Sequence, residues 1–424
     1  DVFRTLPDFK ELKIGGGYSS ENNQQLAKTG DTLLPISFAF NTWQVYIKSS
    51  DKKKNKWGIT YSTRENKIPY QKGLVTQDKS QDINLTNELM KNEHEQLRMN
   101  ITYRKLDVIN AGVSDEQSEK GLLGRLEYEM NEWKGFVRGS VLYEVGSGQE
   151  QKMEYTYLQV PAGQGYYTWI DYNHDGIPEL NEFEIAVFDD QKTWIKVFTP
   201  TNDYVKANYI TFNYNFTINP SLYIPAKTTK HFLRFLRKLN ASSSLQTNKK
   251  QVNNGNFAFS PFSQKLIDTS LLSLNSFLTN TLYFNRTSSV WGIDITHRLN
   301  TTKSLLSYGF ESNSFRDLAI KGRWNLNRSI VTSLTNKYDL SQLINPTYAN
   351  RNYKVDEFSV EPSISYVHKS NFRLSLIYTY DSKRDVLGDS SSAYNSQLAA
   401  EVKYNVLSTG TINGRFSINN INFT

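Results

Sequence analysis

Apolar and polar residues alternate one by one along most of this chain, and that pattern restricts it to β-structure with two unlike faces. Phe372, Leu374, Leu376, Tyr378 and Tyr380 share one parity, while Arg373, Ser375, Ile377 and Thr379 take the other. Phe358, Val360, Pro362, Ile364 and Tyr366 oppose Ser359, Glu361, Ser363 and Ser365. Leu318, Ile320, Gly322, Trp324 and Leu326 oppose Ala319, Lys321, Arg323 and Asn325. Earlier, Leu97, Met99, Ile101 and Tyr103 oppose Arg98, Asn100, Thr102 and Arg104, and Leu126, Tyr128 and Met130 oppose Arg125, Glu127 and Glu129.

A soluble β-sandwich also alternates. Two features favour an antiparallel outer-membrane β-barrel instead. The polar parity carries full charges in strand after strand, as a wet lumen does. The connections also sort into short and long. Short ones are expected near Ser50–Lys56, Lys91–Gln96, Asn131–Lys134, Arg298–Lys303, Asn325–Arg328, His368–Asn371 and Leu407–Gly410. Long ones are expected near Glu65–Gln81, Asp107–Lys120, Tyr338–Glu357 and Asp381–Asn395. Short periplasmic turns and long outer loops mark this class, with about 18 strands by this reading. The stretch Asn253–Leu278 fits the pattern poorly.

Composition agrees. Hydrophobic residues make up only 38 %, yet aromatics reach 13 %, with Tyr 26 and Phe 23. Low mean hydropathy with many aromatics suits a wall apolar on alternate residues and girdled by rings. No apolar run approaches the roughly 20 residues that a spanning helix needs, so any crossing uses strands. Without cysteine there are no disulfides, thiolate metal sites or Cys nucleophile. The net charge of +7 is mild, and its one dense run, Lys52-Lys53-Lys54-Asn55-Lys56, lacks the aromatic platform of a nucleic-acid site. No nucleic-acid partner is expected.

The start, Asp1-Val2-Phe3-Arg4-Thr5-Leu6, is not a signal peptide, and the end stops inside an alternating segment. The expectation is part of a larger barrel, with further strands of the same barrel as neighbours. Three regions follow: barrel strands over 1–150, an extracellular insertion over 151–203, and barrel strands over 204–424. The stretch His231–Leu239 reads as a short amphipathic basic helix on the periplasmic side. It is either a plug or partner surface, or a helical turn packed on the rim.

One motif carries metal chemistry. Asp171-Tyr172-Asn173-His174-Asp175-Gly176-Ile177-Pro178-Glu179-Leu180-Asn181-Glu182 follows the D-x-[DN]-x-[DN]-G-x5-E calcium-loop spacing. Asp171, Asn173 and Asp175 place oxygens at alternate positions, and Gly176 permits the sharp turn. The Ile177 carbonyl adds an oxygen, Glu179 sits ninth, and Glu182 can close the ring with two more. An oxygen-only set selects Ca²⁺, here with a structural role. Pro178 replaces the usual β-branched residue, and the upstream flank is extended rather than helical. His174 is at a non-ligand position.

The block Tyr143-Glu144-Val145-Gly146-Ser147-Gly148-Gln149-Glu150-Gln151-Lys152 continues through Tyr155-Thr156-Tyr157 and Val160-Pro161-Ala162-Gly163-Gln164-Gly165. It then runs through Tyr167-Thr168-Trp169-Ile170, Asn181-Glu182-Phe183-Glu184 and Phe198-Thr199-Pro200-Thr201-Asn202-Asp203-Tyr204-Val205-Lys206. Over residues 143–206 this resembles a group of large, largely uncharacterised outer-membrane proteins of Bacteroidota. The resemblance implies an outer-membrane location with lipid and lipopolysaccharide around the wall, and supplies neither substrate nor catalytic residues.

Three functions compete. The first is a barrel that exports, assembles or displays surface macromolecules, with envelope protein partners. The second is a diffusion or uptake channel, from charges on the polar parity: Arg98, Arg104, Arg125, Arg138, Lys321, Arg323, Arg373 and Arg415 with Glu127, Glu129, Glu361 and Glu401. The third is an outer-membrane hydrolase. Against it, His94, His174, His231, His297 and His368 lie in no HExxH motif, and no GxSxG elbow is present. No enzyme is expected.

Overall fold

The computed structural model describes residues 2–6, 11–27, 32–92, 94–113, 118–186, 188–252, 260–262, 270–306, 309–345, 352–369, 371–387, 391–406 and 410–423. The alternating segments form strands whose neighbours in sequence are neighbours in space. They are β1 (Val2–Leu6), β2 (Leu12–Asn23), β3 (Phe38–Lys48), β4 (Lys56–Tyr70), β5 (Gly73–Asn92), β6 (Glu95–Val108), β7 (Glu119–Glu132) and β8 (Val137–Gln159). The short β9 (Tyr167–Trp169) and β10 (Phe183–Ile185) follow. The wall resumes with β11 (Trp194–Ile218), β12 (Leu239–Val252), β13 (Leu271–Phe284), β14 (Trp291–Leu306) and β15 (Gly309–Asn325). It ends with β16 (Ile330–Ile344), β17 (Tyr353–His368), β18 (Phe372–Asp385), β19 (Ser392–Val406) and β20 (Gly410–Phe423). The single α-helix among the described residues is α1 (His231–Leu236).

Of the 20 strands among the described residues, β9 and β10 form a small hairpin between β8 and β11. The other 18 make one antiparallel up-and-down wall of the outer-membrane barrel type. Among the described residues no pairing joins β1 with β20.

The register shows why the alternation matters. Paired residues of an antiparallel ladder point to the same face. Ile14, Ile47, Ile59, Leu85 and Ile101 follow one another across β2 to β6 as direct partners. Leu282, Ile295 and Ile320 do the same across β13 to β15, and Ile364, Leu376, Ala400 and Phe416 across β17 to β20. This face is apolar yet open: Ile320 is 42 % exposed and Leu376 47 %. An exposed apolar band of this extent belongs against lipid. Trp57, Trp291, Trp324, Tyr366 and Tyr404 ring its short-turn end on the same parity, where indole and phenol rings suit a membrane–water interface.

Several connections differ from the sequence reading. The segment Glu65–Gln81 is not a loop: β4 and β5 continue through it to a turn at Gln71-Lys72, so length there is strand. Arg298–Lys303 is not a turn but the interior of β14. Its polarity has another cause: Arg298 meets Asp317 on the polar face while Thr301 and Lys303 are buried on the other. The short-end turn before β14 is 285–290. The ladder also runs past Glu150 to Gln159 and begins again at Trp194, leaving 160–193 as the segment outside the β8–β11 ladder. Parts of Asn253–Leu278 and of the turn Leu407–Gly410 lie outside the described residues.

Candidate functional site

β8 and β11 pair from Val137↔Ile218, at the short-turn end of the wall, to Gln159↔Trp194, above it. The register of β7 with β8 stops at Val145 and that of β12 with β11 at Ala207. Beyond those points β8 and β11 pair with each other, and at the tip β11 also pairs with β9. A register shift falls between Pro200 and Tyr204, where proline has no N–H to give to a ladder.

The tip has its own apolar centre. Tyr155, Tyr157 and Phe183 are buried, with Tyr167, Trp169 and Trp194 packed on them. Tyr157 stacks on Phe183 at 3.8 Å between ring centroids, and Trp194 meets Phe183 edge-on at 5.0 Å. Lys196 lies over the Tyr155 ring at 4.0 Å. Rings in such contacts gain more than their area burial alone. The sequence reading missed this core. Its signal was aromatics at alternate positions, 155 with 157 and 167 with 169, inside a polar segment.

The acidic loop joins β9 to β10. Gly176, at φ 74, takes the left-handed turn that an L side chain resists. The loop's first oxygens hold its own backbone. The N–H of Gly176 donates to Asp171 Oδ2 at 2.9 Å, that of Asp175 to Asn173 Oδ1 at 3.0 Å, and that of Ile177 to Asp175 Oδ1 at 2.7 Å. Asn173 Nδ2 donates to Asp175 Oδ2 at 3.1 Å and Glu179 Oε2 at 3.3 Å. Asp171 Oδ1 is sheltered from water and accepts no hydrogen bond.

Glu182 stands apart from these five. It is 1 % exposed and turned toward the aromatic centre. Its Oε2 accepts from Trp169 Nε1 at 2.8 Å and from the Glu179 N–H at 3.2 Å, and its Oε1 from the Tyr172 N–H at 3.1 Å. The indole N–H, aided by these backbone donors, holds its carboxyl below the usual glutamate range despite burial. Tyr172 donates to Glu184 at 2.6 Å, and that carboxylate raises the phenol pKa. The structure therefore gathers Asn173, Asp175 and Glu179 through one amide and assigns Glu182 to fastening the loop. Among the described residues no three acidic or imidazole side chains stand together as a metal site. The donor set fits a hard cation in kind, and the orphan Asp171 oxygen fits it in need.

Of the charges expected on the polar face, Arg98, Arg104, Arg125, Arg415, Glu127 and Glu401 form ion pairs. Lys56, Glu88, Arg98 and Glu127 are successive register partners across β4 to β7. Their ion-pair distances are 3.7, 3.6 and 3.8 Å. Arg125 bridges Glu127 and, at 2.8 Å, Glu144. Arg104 meets Asp82, and Arg415 meets Glu401. Signs alternate along the ladder, so this stretch makes no ring of one charge.

No family model matches the chain, and no curated protein matches it. Among solved structures it is similar to the copper transporter OprC, with a TM-score of 0.32 and 8 % identity over 97 % of this chain and 68 % of that one. It is also similar to OmpT, an outer membrane protein of Vibrio cholerae in its trimer form, with a TM-score of 0.27 and 11 % identity over 96 % of this chain and 99 % of that one.

Proposed function

We propose that this chain is the wall of an integral outer-membrane barrel that exports, assembles or displays surface macromolecules, with the β8–β11 tip as its outer contact. The observation that carries the reading is the tip itself. It is a folded unit with an aromatic centre, held away from the apolar band on the β8–β11 ladder. It also shows Tyr166, Tyr172, Ile177, Ile185 and Phe188 to solvent, each more than half exposed. Apolar side chains kept open beyond a membrane's reach mark a contact surface. The kinship of residues 143–206 with outer-membrane proteins of Bacteroidota, and the extracellular side for the tip, belong to the same proposal.

The alternating charges on the polar face support this over a selective channel, because neighbouring opposite charges cancel the field that selects ions. The deciding experiment is twofold: envelope proteins that co-purify with the intact barrel, and conductance of the purified barrel in planar bilayers. Reproducible partners and no steady current are expected. A stable, open, ohmic pore from the protein alone, with no partner, points to the channel instead.

The same proposal includes a calcium ion at the tip. Asp171, Asn173, Asp175, the Ile177 carbonyl and Glu179 would hold it, with Glu182 acting through the backbone it fastens. The ion's chemistry there is neutralisation of crowded carboxylates, which stabilises the folded tip as any native-state ligand does.

A further inference from the structure

The stretch from Tyr204 to Ile267 contains no aspartate or glutamate and nine lysines and arginines. Five of these, Lys227, Lys230, Arg234, Arg237 and Lys238, fall in the connection between β11 and β12. That connection is the longest at the short-turn end and carries α1. It does not plug the barrel. Its helix lies on the outside of the wall and roofs a cavity of about 710 Å³.

The floor of this cavity is a register row of the apolar face, Ile218, Ala241 and Leu282. Ala241, the smallest of the three, leaves a dent between Ile218 and Leu282. Leu233 and Leu236 of α1 form the roof, and Trp133, with the other rings of the rim, closes the side. Almost no polar atom faces the space. The connection that roofs it carries charges of one sign only. Arg234 is spent on building the turn, donating to the Thr228 and Thr229 carbonyls at 3.1 and 3.3 Å. Lys227, Lys230 and Lys238 are exposed. Arg237 is half-buried, and its Nε is sheltered with no hydrogen-bond partner. Glu132, the acid beside Trp133, lies near Lys91, which is itself ion-paired with Glu95 at 2.7 Å.

We propose that this cavity seats one acyl chain of an anionic phospholipid, with the phosphate taken by Arg237 and the neighbouring lysines. An apolar slot on a lipid-facing wall, rimmed by rings and cations where the headgroups lie, matches a phospholipid in both halves. A protein segment would satisfy the slot but gives no reason for the one-signed connection. The inference rests on the membrane reading above.

The test is native mass spectrometry of the full chain reconstituted in vesicles of phosphatidylglycerol or phosphatidylcholine and then released into mild detergent. The unaltered protein is expected to keep one phosphatidylglycerol and little phosphatidylcholine. Ala241→Phe fills the dent and should abolish retention. The double variant Arg237→Gln/Lys238→Gln leaves the slot intact, and its preference for the anionic lipid should fall about fivefold per cation removed. Heat-modifiable gel mobility shows whether each variant has folded. The double variant sits outside the wall and keeps the test open if Ala241→Phe misfolds. Retention unaffected by the charge variant, equal retention of both lipids, or a co-purified polypeptide in place of lipid overturns the proposal. A protein that enters vesicles, as read by protease protection, yet keeps no lipid sinks this inference alone; one that never enters sinks the membrane reading with it.

Discussion

Leu376 faces out from β18, between Ile364 and Ala400 in the ladder. It lies five residues beyond Asn371, the last residue of the short turn. At roughly 3.4 Å per residue and a tilt of about 40°, that is about 13 Å above the rim. The apolar band is about 25 Å tall, so Leu376 sits near its middle, where arginine on the lipid face costs about 2–4 kcal/mol. Thr379 lies on the same strand with the opposite parity, on the polar face. Glu361 stands across from it, between the pairs Val360↔Tyr380 and Ser363↔Ile377. Arginine there finds water and a carboxylate, and its cost is about zero. Ser375 is a poorer control, because it is buried and bonded to Ser365 at 2.8 Å. The expected gap between Leu376→Arg and Thr379→Arg is thus about 3 kcal/mol, or about 100-fold in the folding equilibrium. Urea titration in phospholipid vesicles, followed by heat-modifiable gel mobility, reads it directly. Equal midpoints for the two variants would mean that the two faces are not lipid and water, and the wall assignment would be wrong.

Other outcomes follow from the tip. Glu182, whose carboxyl titrates below the ordinary range, stabilises the tip at pH above the usual glutamate value, and that contribution is lost as pH falls through the lowered one. Limited proteolysis between Tyr155 and Thr199 should therefore speed up on acidification, and Glu182→Gln should show the fast pattern already at pH 7. Calcium should slow the same cleavage and a chelator reverse it, while wall mobility on gels stays constant; cleavage indifferent to calcium removes the ion from the proposal. Gly165→Ala should loosen the tip by about 1–3 kcal/mol, because the added carbon would meet the Trp194 backbone nitrogen at 2.6 Å and oxygen at 2.7 Å. Protection of the tip equal to that of the unaltered protein would show that this close approach is relieved without cost.

What the sequence could show and what it hid have separate physical causes. Strand parity is local, so the faces of Leu97, Ile101, Trp324, Phe358 and Leu376 were legible before any pairing was known. Turns were legible only where polarity on both parities meant exposure. Arg298–Lys303 broke that link, since its polar groups are buried on one face and paired on the other. The calcium-loop spacing named the right residues for a tight turn, but it could not reveal that Trp169 claims Glu182. That contact depends on how β9 meets the segment after the loop. The alternating ion pairs from Lys56 to Glu144 needed the register of five strands. The slot beneath α1 needed three strands and a helix to be placed at once.

The ribbon of β8 and β11 fixes a distance. From Gly148 to Gln159 it adds roughly 40 Å of paired strand beyond the reach of its wall neighbours. A loose loop of equal length would let its end wander over a wide volume. A hydrogen-bonded pair lets it do so only at the irregularity by Pro200. Whatever meets the tip is therefore met at a set standoff from the bilayer and at a set bearing around the barrel axis. Deleting residues two by two from both strands would lower that meeting point in steps, without changing the surface that makes it.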